Sequence, residues 1–304
     1  MSSVKIGFIG FGEVASIFSK EMSNKGAEIR IFDVLISQKG GLEIIKKRFL
    51  NDNIQINSLE EVITKSDYII STVPSQFAKN VAKECAEHLK PNKVYIDLNS
   101  TSPFVKIKVS KIIHSSKADF VEGAILGAVG ITGSKTRILT TGKKGKKVAE
   151  IFNKLGLNVS YYSPEVGKAS MFKMLRSIFS KGLEALILEC LIAGGKAGIE
   201  KDLWDDITDF MSKKPFDQIA ANWIQTHVTA HERRYYEIVQ IVETMKKIGV
   251  EPIVTSGTEA FFKRSLSLGL KEAFPEKPGS FEKVIDFMEK KLTESLKNIN
   301  IDDH

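Results

Sequence analysis

The residues with the clearest chemical potential lie near the start of the chain, where a strand-like apolar run over residues 4–9 breaks into closely spaced glycines. One glycine permits a tight turn, and a second lets the backbone approach a pyrophosphate with no Cβ in the way. The helix expected next offers free N–H groups and a partial positive charge to phosphates. The residues predicted to bind a dinucleotide here are Gly10, Phe11, Gly12, Glu13, Val14 and Ala15.

An acidic residue ends the second strand-like run, residues 28–32. Asp33 follows Gly12 by about 20 residues, which is the place for a carboxylate that accepts hydrogen bonds from the adenosine ribose. Val34 and Leu35 come next, so a 2′-phosphate would meet a carboxylate with no arginine directly after it, although Lys39 is near in sequence. NAD is therefore the predicted cofactor, with NADP possible.

A polar loop follows the strand-like run that begins at Tyr68. Residues 71–75 combine hydroxyl groups with Val73 and Pro74. Ligands of doubly wound sheets bind beyond the carboxyl ends of the strands, so Val73 and Pro74 are candidates for contact with the nicotinamide ribose. An ordinary polar turn before a helix has the same composition, and that alternative stays open.

The loop after the next strand, residues 97–103, is dense in hydroxyl and amide groups. Asn99 and Ser100 are its candidates for contact with substrate, and Asn99 is also a candidate for contact with the cofactor. The alternative is structural, because Ser102 directly before Pro103 is a good helix N-cap with proline at the first helical position.

A long apolar helix is expected after Pro164, and it carries a polar stripe. Such a helix should be largely buried, so Lys173 would be desolvated, with a lowered pKa suited to proton transfer. The alternative is a lysine that extends its ammonium group to the surface. Arg176 lies beside the stripe, whose members are Ser170, Lys173, Ser177 and Ser180.

A basic cluster occurs further on, at residues 230–237. His231 and Arg234 are candidates for binding a substrate carboxylate or phosphate. The alternative is a salt-bridged helix start, in which Arg233 pairs with Glu237 four residues later.

Composition limits the class of protein. The chain has 304 residues, 42% of them hydrophobic and 27% charged, and carries a net charge of +7. These values predict a folded protein of about two domains. No aromatic residues interleave the basic run at 142–147, so we expect no nucleic-acid partner. We expect no membrane span, no signal peptide, no metal site and, with two isolated cysteines, a cytoplasmic location.

Strands and helices alternate in the first half of the chain, and these elements must position the candidate residues. We predict seven strands there with helices between most of them, which gives a doubly wound, mostly parallel α/β sheet. After Pro164 the pattern becomes helical, so the predicted domains are a dinucleotide-binding Rossmann domain at 1–163 and an all-helical domain at 164–304. The predicted strands are 4–10, 28–32, 68–73, 94–98, 120–124, 137–141 and 158–162, and the later helices are 166–197, 204–211, 216–230, 232–248, 257–269 and 280–297.

With these pieces in order, the chain resembles the β-hydroxyacid dehydrogenase superfamily, which includes 6-phosphogluconate dehydrogenase and 3-hydroxyisobutyrate dehydrogenase. The second half is similar to the helical domain of phosphogluconate dehydrogenase-like oxidoreductases, most clearly over residues 231–249. The resemblance covers nearly the whole chain, and it implies a Rossmann fold, a nicotinamide cofactor and a homodimer formed through the helical domain.

The resemblance also implies a catalytic residue. The family signature Gly-x-Gly-x-x-x-Lys-x-x-Asn-Asn falls on residues 167–177, which puts Lys173 at the position of the catalytic lysine. Ala169 replaces the second glycine, and Arg176 and Ser177 replace the two asparagines.

Two further motifs carry over in part. Asn99 and Ser100 stand where the family has serine and threonine in its Asp-x-Ser-Thr-x-x-Pro loop. Leu126 replaces the serine of the substrate-binding Ser-Gly-Gly segment, and Gly127 follows it. Ser180 also stands where 6-phosphogluconate dehydrogenase has the glutamate that acts as general acid in decarboxylation. These departures make 6-phosphogluconate an unexpected substrate.

Together these observations predict an NAD(P)-dependent dehydrogenase of a small β-hydroxy acid or related sugar acid. Lys173 would exchange the proton of the substrate hydroxyl. Asn99, Ser100 and Gly127 would orient the substrate, and Arg176, Ser177, His231 and Arg234 would contact it near its anionic group. Two alternatives remain: a C=N (imine) reductase of the same fold, and a nucleotide-binding paralogue without turnover.

Overall fold

The computed structural model describes residues 3–48 and 54–299, and its first half is built on one sheet. The short strand at Ile54–Ile56 was not among the predicted ones. The eight strands are Lys5–Ile9 (β1), Glu28–Phe32 (β2), Ile54–Ile56 (β3), Tyr68–Ser71 (β4), Val94–Asp97 (β5), Asp119–Ile125 (β6), Arg137–Thr141 (β7) and Asn158–Ser163 (β8).

The strand order is β3-β2-β1-β4-β5-β6-β7-β8, and every neighbouring pair is parallel except β6 with β7. This confirms the doubly wound, mostly parallel sheet. The chain moves outwards in one direction from β1 to β3 and in the other from β4 onwards. The crevice between the carboxyl ends of β1 and β4 is therefore the switch point at which such sheets bind ligands.

Apolar residues on both faces explain why these strands form a buried sheet. Phe8 of β1 lies in the core on one face, together with Phe18 of the first helix. Ile69 and Tyr95 lie in the core on the other face. The helices of the first half are Glu13–Asn24 (α1), Gly41–Arg48 (α2), Leu59–Lys65 (α3), Ala78–His88 (α4), Pro103–Ser115 (α5), Val129–Thr132 (α6) and Gly145–Lys154 (α7).

The rest of the described chain is helical, as predicted. Two compact units can be separated, Met1–Ile178 and Phe179–His304, and the division falls within the first helix after the sheet. The domain boundary near Pro164 stays a prediction. The later helices are Lys168–Ala197 (α8), Glu200–Ser212 (α9), Phe216–Lys247 (α10), Ile253–Ser265 (α11), Leu270–Ala273 (α12) and Glu282–Ile299 (α13).

One predicted break in the second unit is wrong. We expected separate helices at 216–230 and 232–248, but α10 runs without interruption through His231. No glycine or proline occurs between Phe216 and Lys247, so nothing stops the helical hydrogen bonds from continuing. The small core of this unit packs Val228 of α10 against Leu270 and Val284.

The expected burial of α8 is also wrong for the single chain. Ile178 is 70% exposed, Leu175 is 57% exposed and Ile192 is 56% exposed. Apolar residues occur on all sides of this helix, and the single chain leaves several of them uncovered. A separate finding is that no helix among the described residues is long and apolar enough to cross a bilayer.

Candidate active site

The glycine loop lies at the switch point and is shaped as the sequence predicts. Gly10 has φ +83°, and a Cβ at this position would lie 2.8 Å from the Thr72 carbonyl oxygen. The Thr72 hydroxyl donates to the Gly10 carbonyl at 2.8 Å, which joins the ends of β1 and β4. Gly12 is the N-cap residue of α1, and a Cβ added to it would enter open space. The loop therefore offers a backbone surface and a helix N-terminus to a phosphate group.

The other loop residues divide between core and surface. The Phe11 side chain is fully buried in the sheet core, so only its backbone is available to a cofactor. Ala15 is also buried and lets α1 pack closely on the sheet. Glu13 is exposed and Val14 is half-buried in the first turn of α1. Their contacts with a cofactor stay predictions.

Asp33 is tied to the glycine loop. Its Oδ2 accepts from the Phe11 amide at 2.6 Å, and its Oδ1 accepts from the Leu35 amide at 2.8 Å. Arg48, a residue that the sequence analysis missed, donates from Nη1 to the Phe11 carbonyl at 2.6 Å. The sequence has no arginine directly after Asp33, but this does not leave the glycine loop without a cation beside it. The helix α2 brings the Arg48 guanidinium group to this loop from 15 residues further along. No motif in the sequence marks Arg48.

Asn99 joins the two predicted polar loops. Its Oδ1 accepts from the Val73 amide at 2.7 Å, and its Nδ2 donates to the Ser71 hydroxyl at 3.0 Å. Asn99 is buried, Val73 is half-buried and Pro74 is exposed. The amide group of Asn99 is thus engaged in holding the loops after β4 and β5 together, and its contact with substrate or cofactor stays a prediction.

A buried ion pair, also missed from the sequence, supports the same loop. Lys106 Nζ lies 3.1 Å from Asp97 Oδ1 and donates to the Asp97 carbonyl at 2.8 Å, and both side chains are almost fully buried. Asp97 Oδ1 also accepts from the Asn99 amide at 2.9 Å. A signal was present, because Lys106 shares the buried stripe of α5 with Val109 and Ile113 at helical spacing.

The end of the loop is a helix cap. Ser102 Oγ accepts from the Val105 amide at 3.3 Å, and Pro103 is the first residue of α5. The structural alternative is therefore confirmed for Ser102. It leaves Ser100, an exposed residue three positions after Asp97, available for another contact.

Lys173 supplies that contact. Its Nζ donates to the Ser100 hydroxyl at 2.9 Å, so two candidates from distant parts of the sequence meet. Lys173 is half-buried, so the deep burial expected for it is wrong. The start of α8 packs on the sheet through Ala169, which contacts the cluster of Ala124 and Leu139. Lys173 therefore lies on the part of α8 that is fixed to the sheet.

The start of α8 is also held by a buried acid. Glu122 Oε1 accepts from the Ser170 amide at 2.7 Å, and its Oε2 accepts from the Gly167 amide and the Thr141 hydroxyl, each at 2.5 Å. These bonds satisfy backbone N–H groups that a helix N-terminus leaves without intrahelical partners.

The remaining candidates near Lys173 are placed as follows. The Ser177 hydroxyl donates to the Lys173 carbonyl at 2.8 Å, so it bonds within its own helix. The Arg176 side chain is exposed, and Gly127 is exposed just after β6. Their roles toward a substrate stay predictions.

His231 and Arg234 belong to the second unit. His231 is buried, and its Nδ1 lies 3.1 Å from the carbonyl oxygens of His227 and Val228. Arg234 Nη2 donates to the Thr226 hydroxyl at 2.8 Å. Arg233 pairs with Glu237, as the structural alternative predicted, but in mid-helix. Substrate contacts of His231 and Arg234 stay predictions.

Arg234 also lines a cavity of about 460 Å³, together with His227 and mainly apolar side chains of the same unit. Burial lowers the pKa of His227 to about 4, helped by the nearby charges of His231 and Arg234. His227 is therefore neutral at ordinary pH, and its Nε2 lies 3.0 Å from the Ser265 hydroxyl. Across the described ranges, no group of three metal-binding side chains comes together.

Two family profiles match this chain. The NAD binding domain of 6-phosphogluconate dehydrogenase matches residues 5–163, which contain the glycine loop, Asp33 and Ser100. A domain of unknown function, DUF1932, matches residues 195–265.

Two curated proteins are similar to this chain in sequence. An uncharacterised 28.5 kDa protein of Methanothermus fervidus is 31% identical over 86% of this chain and 98% of its own length. The mitochondrial 3-hydroxyisobutyrate dehydrogenase of Bos taurus is 24% identical over 69% of this chain and 63% of its own length.

Solved structures agree on the fold. A conserved protein of unknown function, described as structurally similar to 3-hydroxyacid dehydrogenases, is 27% identical with a TM-score of 0.60, over 89% of this chain and 98% of that one. An imine reductase variant from Myxococcus stipitatus, in complex with NAD+, has a TM-score of 0.76 at 16% identity, over 95% of this chain and 100% of that one.

Proposed function

Because the chain belongs to the family of the NAD binding domain of 6-phosphogluconate dehydrogenase, we propose that it is an NAD(P)-dependent oxidoreductase that interconverts a small hydroxy acid and its carbonyl form. The match covers residues 5–163, and we infer that these residues bind the nicotinamide cofactor. The kinship with 3-hydroxyisobutyrate dehydrogenase supports a substrate with a CH–OH group.

The observation that carries the proposal is the contact between Lys173 and Ser100. An amine and a hydroxyl 2.9 Å apart form a pair that can bind a substrate oxygen and exchange its proton. Ser100 follows β5, and Asn99 beside it binds the loop after β4, whose Thr72 binds Gly10. Hydrogen bonds and the peptide links between neighbouring residues therefore connect the amine to the glycine loop.

In the proposed oxidation, Lys173 takes the proton from the substrate hydroxyl, while the carbon loses a hydride. The nicotinamide cofactor, when bound, supplies the acceptor for that hydride. Ser100 holds the substrate oxygen beside Lys173, and the backbone near Gly127 orients the carbon skeleton. Arg176, Ser177, His231 and Arg234 are proposed to contact the substrate near its carboxylate or phosphate.

The test follows reduction of the cofactor by absorbance, with NAD and NADP in parallel, across a panel of small hydroxy acids and sugar acids. Wild-type protein should turn over at least one of them. Lys173→Ala should still bind the cofactor but lose about 100-fold or more in turnover, because general acid–base catalysis contributes at least that much. Near-normal turnover by Lys173→Ala would remove the lysine from the mechanism.

A second candidate function is reduction of a C=N bond. It is supported by the fold that the chain shares with the imine reductase. Measuring oxidation of the reduced cofactor with ketones and, separately, with imines distinguishes the two reactions. Clear cofactor binding with no turnover of either class would favour a non-catalytic paralogue.

We also propose that the protein acts as a homodimer. The support is the row of exposed apolar side chains along α8, a feature that isolated soluble chains rarely present to water. This row includes Leu175, Ile178, Phe179, Leu188 and Ile192, each more than half exposed.

A further inference from the structure

We propose that Glu122 is a positioning residue for Lys173: its buried carboxylate fixes the first turn of α8 to β6, and this anchor sets the contact between Lys173 and Ser100. The catalytic meaning of that contact rests on the proposed function. The contact itself is a property of the folded chain and can be tested without a substrate.

The first support is the coordination of the carboxylate. Glu122 has no exposed surface, and both of its oxygens are engaged. Two of its donors are the backbone amides of Gly167 and Ser170, and the third is the Thr141 hydroxyl of β7. Charge-assisted bonds of this kind are stronger than neutral ones, and a negative charge is favourable at a helix N-terminus. Glu122 therefore fixes both the position and the rotation of the first turn.

The second support is the short path from this anchor to Lys173. Ser170 and Lys173 are three residues apart, so they lie on the same side of α8 in neighbouring turns. A hydrogen bond weakens steeply once the donor and acceptor separate or turn away from each other. A shift of the first turn therefore acts directly on the 2.9 Å contact of Lys173 with Ser100.

The third support is that the same strand, β6, also holds the loop that carries Ser100. Gly123 follows Glu122 in β6, and its carbonyl accepts from Lys106 Nζ at 3.4 Å. Lys106 also holds Asp97, which begins the loop that carries Ser100. Adjacent residues of β6 thus hold the helix of Lys173 and the loop of Ser100, and together they define the distance between the two side chains.

The chain provides a matched control in Glu189. This residue is also buried, and its carboxylate accepts from the Val254 and Thr255 amides at 2.7 and 2.8 Å, at the start of α11. Glu122→Gln and Glu189→Gln each replace a buried helix-capping carboxylate with an amide that puts a donor against a backbone donor. Both should lower stability, but only the first changes the anchor of Lys173.

The experiment measures the exposure of the Lys173 amine by brief acetylation of the full-length protein with acetic anhydride, followed by mass spectrometry of each lysine peptide. Acetylation of Lys173, relative to the surface lysines, should rise by about threefold or more in Glu122→Gln, which is the factor expected when a hydrogen bond of ordinary net strength is lost. It should stay at the wild-type ratio in Glu189→Gln.

Equal Lys173 acetylation in wild type and Glu122→Gln would overturn the proposal and leave Glu122 with a purely structural role. The same ratio rising in Glu189→Gln would also overturn it. If Glu122→Gln does not fold, Thr141→Val replaces it, because this change removes one of the three donors and keeps the carboxylate. A smaller rise is then expected, and no rise contradicts the proposal. None of these results depends on finding a substrate.

Discussion

Gly10 and Gly12 stand two residues apart in the dinucleotide loop but differ in what a methyl group would meet. At Gly10 it would lie 2.8 Å from a carbonyl oxygen on a backbone with φ +83°. At Gly12 it would enter open space on a backbone with φ −82°. The first glycine therefore serves the fold, whereas the second is free of that constraint and is predicted to serve the ligand.

The resulting prediction is a crossed pair of variants. Gly10→Ala should lower the free energy of unfolding by about 1–3 kcal/mol because of backbone strain and the close contact. Gly12→Ala should change it by less than about 1 kcal/mol, the usual range for an N-cap exchange, but should weaken NADH binding. Urea unfolding and fluorescence titration with NADH measure the two effects. Unchanged NADH affinity in a folded Gly12→Ala would contradict the predicted pyrophosphate site.

Arg48 makes the choice between NAD and NADP testable. Its guanidinium group contacts the same loop residue whose amide binds Asp33. If the adenosine ribose lies at Asp33, Arg48 is the cation that meets a 2′-phosphate. Arg48→Ala should then weaken NADPH binding about tenfold more than NADH binding, as expected for loss of a charged hydrogen bond.

The control for Arg48 is Lys46→Ala on the same helix. Lys46 pairs with Glu43 at the surface, so its removal should leave the ratio of the two affinities unchanged. An equal effect of Arg48→Ala on both cofactors would mean that this arginine supports only the loop.

For single residues, the sequence predicts roles where these depend on local order along the chain. The glycines, Asp33 and Lys173 follow from spacing or from the family signature. Arg48 was missed because its contact with Phe11 joins segments that are far apart in the chain. The meeting of Lys173 with Ser100 likewise depends on how α8 returns to the sheet, and no spacing encodes that path.

The helix α5 carries a charged side chain, Lys106, on its inner face. Lys106 and Asp97 form a pair with almost no exposed surface, so removal of one partner leaves a buried charge uncompensated. Lys106→Met should therefore lower the free energy of unfolding by about 3–5 kcal/mol. Lys106→Met combined with Asp97→Asn should recover part of this loss, because no charge remains buried.

Thermal or urea unfolding measures these variants against Lys65→Met, which breaks an exposed pair with Glu61 and should have little effect. A single Lys106→Met variant as stable as Lys65→Met would contradict the predicted cost of leaving the Asp97 carboxylate without its buried partner.

Most helices and strands were predicted with the correct type, but the burial of α8 was not. Strands β1 and β2 and the helical second half follow from periodicity and glycine or proline breaks. The short β3 was missed, because three residues give too little periodicity to detect. The burial of α8 was misjudged for another reason. A helix that is apolar on all sides is expected to be buried, but its hydropathy does not tell whether its own chain or a second copy covers it.

For the whole molecule, the uncovered faces of α8 lead to a prediction about assembly. Ile178→Asp should weaken self-association, because a carboxylate would be buried in the proposed interface. Sedimentation velocity over a range of protein concentrations measures the effect. Ile131→Asp is the control, since Ile131 is 86% exposed but lies outside α8. A wild-type protein that stays monomeric would contradict the proposed dimer.

The position of Cys190 on α8 has a practical consequence. The chain has two cysteines; Cys85 is fully buried and Cys190 is only half-buried, and burial raises the pKa of both thiols. A thiol reagent added to the native protein therefore meets one partly accessible thiol, and that thiol lies on α8, the helix with the uncovered apolar faces. The rate of this single reaction therefore measures how fully α8 is covered.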